Sequence, residues 1–165
     1  MSDTDEGGEG PCLVPMLDTA AIDDHALAQL LRGLADAVVV ADVEGTIVFW
    51  NEAATRLFGW SAGEAVGQNL DLIIPERQRA RHWEGYRRVM ASGDTTYGDR
   101  LLEVPAVHAD GRRLSIAFTV TLVHPPGMSM PWAIAAVIRD DTERWQERRG
   151  LRDELAALRS TRAGA

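Results

Sequence analysis

Residues 37–51 read AVVVADVEGTIVFWN. Two short runs rich in β-branched and aromatic residues, Ala37–Ala41 and Thr46–Trp50, flank the turn-rich Asp42-Val43-Glu44-Gly45, and that order predicts a tight antiparallel hairpin. Directly afterwards the period changes. NEAATRLFGWSAGEAVGQNLDLIIPE, residues 51–76, opens on Asn51, whose side-chain oxygen suits a helix N-cap. Ala54, Leu57 and Phe58 follow at helical spacing before Gly59 breaks the run. A second short helix starts at Ser61, with Glu64 three residues on in a capping-box arrangement, and ends at Gly67.

Working outward, RQRARHWEGYRRVMASG after Pro75 places His82, Trp83, Tyr86, Val89 and Met90 along one side of a longer helix, with arginines over the other and Gly93 as its stop. Three strand-like runs come next: Asp99–His108, Arg113–Val123 and Trp132–Arg139. Asp110-Gly111 joins the first two as a hairpin turn, and HPPGMSMP loops between the last two. Alternation of Leu114, Ile116, Phe118 and Val120 turns one face of the middle run inward. The order is therefore ββ, several short helices, one longer helix, then βββ, an α+β pattern.

The ends divide accordingly. Residues 1–22 read as a disordered acidic tail, 23–34 as an amphipathic helix with Leu27, Leu30, Leu31 and Leu34 on one face, 35–144 as the domain, and 145–165 as a C-terminal helix and tail. The face of the first helix is expected to pack on the domain's own sheet, or else on another subunit. Leu151, Leu155 and Leu158 stripe the charged segment Thr142–Arg159, too short for a stable isolated coiled coil but suited to support a dimer or carry a signal.

A chain of 165 residues has room for one core plus tails. Its formal charge of −8 argues against a nucleic-acid face, and no apolar run is long enough to cross a membrane. The acidic opening MSDTDEGGEGP has no basic or apolar leader region, so a cytoplasmic address is expected. Every basic residue is Arg, and Cys12 is the single cysteine, which disfavours internal disulfides and Cys-based metal sites. Phosphate-loop, zinc-protease and nucleophile-elbow motifs are missing, so no enzymatic activity is expected.

GLADAVVVADVEGTIVFWNEAATRLFGWSAGEAVGQNLDLIIP resembles the first half of a PAS domain, and HADGRRLSIAFTV with WAIAAVIRDDTER resembles its second half, together spanning about residues 30–145. The resemblance implies a five-stranded antiparallel sheet with the helices between Asn51 and Ala91 roofing one face so as to leave a pocket, and with Asp140 and Thr142 anchoring an exit helix. It also implies a sensory role. Light-sensing PAS domains hold flavin through a cysteine in the helix after the second strand; residues 51–58 contain none, so neither that adduct nor a cysteine-bound p-coumarate is expected.

PERQRARH, residues 75–82, is similar to the segment of haem-binding oxygen-sensor PAS kinases in which a histidine ligates iron. By that resemblance His82 is the candidate ligand for haem b, and Gly85 would let a flat ring approach the helix backbone. Tyr86, Ile116, Phe118 and Ile134 are the accompanying wall residues. The alternative for His82 is a hydrogen-bonding role in the pocket or at its rim. After His82 the chain reads WEGY, one residue longer than the haem-type pattern, and Trp83 is bulky enough to fill cofactor space. Arg100 stands nearest to the family's distal arginine, about two positions out of place. Trp132 is placed to direct its indole N–H at a ligand, or else to pack with that N–H on a carbonyl. His25, His108 and His124 are assigned to the surface. Two functions follow: a module that binds a small ligand or haem and signals through its flanking helices to a homodimer, sensor kinase or regulator, or a cofactor-free PAS domain that mediates protein interactions.

Overall fold

The computed structural model describes residues 23–95 and 100–163. The tail assigned to residues 1–22 and the expected strand start at Asp99 lie outside them. The elements run α1 (Asp24–Gly33), β1 (Ala37–Asp42), β2 (Ile47–Trp50), α2 (Glu52–Phe58), α3 (Ala62–Ala65), a 3₁₀ turn (Leu70–Leu72), α4 (Glu76–Ser92), β3 (Leu102–Val107), β4 (Arg113–Val123), β5 (Ala133–Asp140) and α5 (Thr142–Ala163). The strands form one antiparallel sheet in the order β2-β1-β5-β4-β3.

Local chemistry sets the joints. At the first hairpin the Asp42 carboxylate accepts from the backbone N–H groups of Glu44 and Thr46, each at 2.9 Å. Gly45 takes φ +83°, and a Cβ there would lie 2.2 Å from the Trp83 ring, so both conformation and space demand glycine. Asn51 is buried with all its hydrogen-bonding capacity in use. Its Oδ1 accepts from Val38 and Ala54 N–H, both at 2.9 Å, and its Nδ2 donates to the carbonyls of Leu31 (3.1 Å) and Asp36 (3.0 Å). One side chain thus caps α2 and ties α1 to β1. Ser61 donates its N–H and hydroxyl to Glu64 Oε2 at the start of α3.

The helices between the second and third strands cover one face of the sheet. Phe58, Ala54, Ala65 and Ile73 pack with Val39, Ile116 and Ile138, and a second cluster joins Tyr86 and Met90 of α4 to Ala41. Thr46 leaves β2 to bridge Asn69, Trp132 precedes β5, and β3 begins only at Leu102, beyond the expected Arg100 and Leu101. The first helix is only partly covered. None of α1 is fully buried: Leu27 and Leu30 are 48% and 53% exposed, while Leu31 and the cap residue Leu34 are half-buried, so the Leu27 and Leu30 part of the apolar face is left uncovered. No described helix is long and apolar enough to cross a membrane.

Candidate functional site

Between α4 and the sheet lies a hollow of about 600 Å³. This falls in the range of small-molecule sites. Its wall is mostly apolar, formed by Val39 and Ala41 of β1, Phe118 and Val120 of β4, and Ile134 and Ala136 of β5. Sheet alternation explains the set, because these residues share the inward face of neighbouring strands. Polar groups come mainly from α4, with Glu103 of β3 also on the lining. Gln78, Arg81, His82 and Gly85 recur at helical spacing and line the hollow from α4.

Two contacts fix the N-terminal half of α4. Arg79 donates to the carbonyls of Ile74 (3.2 Å) and Asp71 (2.9 Å), and the Trp83 indole N–H donates to the Asp71 carboxylate at 2.8 Å. Trp83 is therefore directed onto the 3₁₀ turn and Gly45, and it is not a wall residue of the hollow. The space that its bulk was expected to fill is left open.

His82 sits between these anchors. Its ring meets Trp83 edge-on at 4.9 Å and Tyr86 at 5.7 Å, and its Nδ1 is buried with no hydrogen-bond partner. Burial lowers the His82 pKa below its ordinary value, against a smaller opposing pull from Asp71, so the imidazole is neutral at pH 7. Tyr86 is held by its hydroxyl, which reaches the carbonyls of Ala41 (3.2 Å) and Asp42 (2.5 Å). Burial, then the nearby Asp42, pushes its ionisation well above the usual phenol range, so it stays a neutral donor.

Of the residues singled out in the sequence, His82, Tyr86, Ile116, Phe118 and Ile134 meet at this hollow. Arg100 and Trp132 do not. Arg100 is exposed outside β3, and Trp132 is 45% exposed ahead of β5, with neither on the wall. The strand that would have turned Trp132 inward begins one residue later, at Ala133. His108 is also a correction: its side chain is only 14% exposed and packs against Gly59, where a Cβ would fall 2.5 Å from the imidazole. Gln78 and Arg81 were missed, although their spacing to His82 and Gly85 was readable as one helix face.

The profile of the PAS fold matches residues 26–127. The chain belongs to the PAS family. PAS domains are sensory modules, and this one is 41% identical over 68 residues to the sensor protein FixL of Bradyrhizobium diazoefficiens, a match covering 41% of this chain and 14% of FixL. It is 25% identical over 133 residues to the oxygen sensor protein DosP of Escherichia coli, covering 81% of this chain and 16% of DosP. The chain thus spans about one-sixth or less of these relatives. Among solved structures, a PAS domain of a Colwellia psychrerythraea protein superposes with TM-score 0.61 at 24% identity, over 72% of this chain and 97% of that one. That likeness concerns the fold.

Proposed function

We propose that this PAS domain is a sensor whose hollow holds haem b, with His82 as the protein ligand to the iron, and that it signals through α1 and α5 to a second copy or to a sensor kinase or regulator. The observation that carries this reading is the neutral His82, facing an apolar hollow with a buried ring nitrogen that no protein group satisfies. The other residues present suit the group. Gly85 leaves room for a flat ring against the helix, and Arg81, which makes no ion pair among the described residues, supplies a cation for a propionate carboxylate at the rim. Haem bound there would supply an iron able to take up a diatomic gas. Around it, this chain's residues orient and exclude water: Tyr86 is locked onto β1, and the wall from β4 and β5 is apolar. The similarity to FixL and DosP supports the same reading. Exposed Leu27 and Leu30 on α1, with Leu151 and Leu155 on α5, support an interface on the flanking helices.

Absorption spectroscopy tests the haem reading. The protein supplied with hemin is expected to show a Soret band that His82→Ala abolishes or displaces. A protein that stays colourless would overturn it and leave the cofactor-free interaction domain as the function.

A further inference from the structure

Strand β3 touches both the hollow and α5. The whole of Leu102–Ala106 borders the hollow, Glu103 included, and the Glu103 carboxylate is paired with α5. It accepts from the Arg148 guanidinium of α5 at 2.8 Å. The same guanidinium donates through its other terminal nitrogen to Asp141, at 2.5 Å. Asp141 is 6% exposed and lies at the junction of β5 and α5.

Further hydrogen bonds pin the start of α5. Thr142 N–H donates to Asp140 at 2.9 Å, Ser115 N–H donates to the Thr142 hydroxyl at 3.1 Å, and Asp141 N–H donates to the Ser115 carbonyl at 2.8 Å. Those bonds hold the point of departure of the helix. Arg148, about a turn and a half further on, fixes its direction, because a rod clamped at two places cannot pivot about the first. Arg144 lies close enough to Glu103 to favour its ionised form as well.

We propose that Arg148 is a latch that couples the hollow to the exit helix: displacement of β3 from the inside moves Glu103, releases or re-aims Arg148, and lets α5 swing about Thr142. The latch takes its signalling role from the ligand-sensing reading above, yet its mechanics can be measured without any ligand.

Hydrogen exchange on the full chain reads it. Glu103→Gln is expected to speed exchange of the amides of residues 144–150 about threefold, in keeping with a half-exposed ion pair. Arg148→Ala should speed it about tenfold, since buried Asp141 then loses its cation. Amides of β1 and β5 keep their rates in both. Unchanged exchange at 144–150 in the two variants overturns the latch.

Val104→Phe tests the coupling by pushing on β3 from within, with β1 protection reporting that the domain is folded; if it is not, the smaller Val104→Leu is read instead. Exchange at 144–150 is expected to rise in this variant and to rise no further when Arg148→Ala is added. Equal, additive effects of the two substitutions overturn the coupling. Hemin addition separates the two proposals: with no Soret band but the exchange results as expected, haem sensing fails and the latch stands.

Discussion

His82 and Trp83 are neighbours in the chain and opposites in role. Trp83 engages Asp71 and crowds Gly45, which fastens α4 to the first hairpin, whereas His82 engages nothing with its Nδ1. A buried, unsatisfied polar atom costs stability, and its persistence beside an apolar hollow is what directs attention to a bound group. The lowered pKa sets a sign for pH. Since burial disfavours the protonated form of His82, the imidazole stays available to iron at lower pH than an ordinary histidine would, so the Soret band should persist at neutral pH and decay only under acid conditions. Asn51 is the opposite kind of residue, one whose polar atoms are all engaged. Asn51→Ala would leave Val38 N–H and Ala54 N–H without partners in buried positions. The expected loss is about 3 kcal/mol in chemical denaturation, and a loss below about 1 kcal/mol would contradict its structural role.

At the scale of elements, the flanking helices carry much of the exposed apolar surface. Leu27 and Leu30 on α1 and Leu151 and Leu155 on α5 are each about half exposed or more, and Val137 on the outer side of β5 is 40% exposed. Light scattering on a chain ended after Arg144 is expected to show a smaller species than the full chain; an unchanged mass would remove α5 as an interface. How far these elements were legible depends on whether their cause is local. The Asn51 cap on Ala54, the Ser61–Glu64 pair, Gly93 and Asp110-Gly111 act within a few residues, and each helix end or turn stands where the sequence puts it. What covers the face of α1 was left open between the sheet and another subunit, because helical periodicity says that a stripe exists and not what meets it.

For the whole molecule, the order of strands and helices was readable because alternation, turns and caps agree on it, and the single roofed sheet followed from the resemblance to PAS domains. The site was readable only in part. His82 and its helix neighbours came from one segment, and Ile116, Phe118 and Ile134 from alternation, but the destination of Trp83 depends on a hairpin some 38 residues earlier, and the absence of Arg100 and Trp132 from the wall depends on where β3 and β5 begin. Long-range placement of that kind leaves no trace in local pattern. The central claim, that the roof over one sheet face leaves a hollow for a ligand held by His82, is tested most directly by paramagnetic broadening of amide signals on hemin addition. The account expects the amides of Val39, Ala41, Phe118 and Ile134 to broaden while those of Leu30 and Leu151 stay sharp; broadening centred on the outer sheet face or the flanking helices would contradict it.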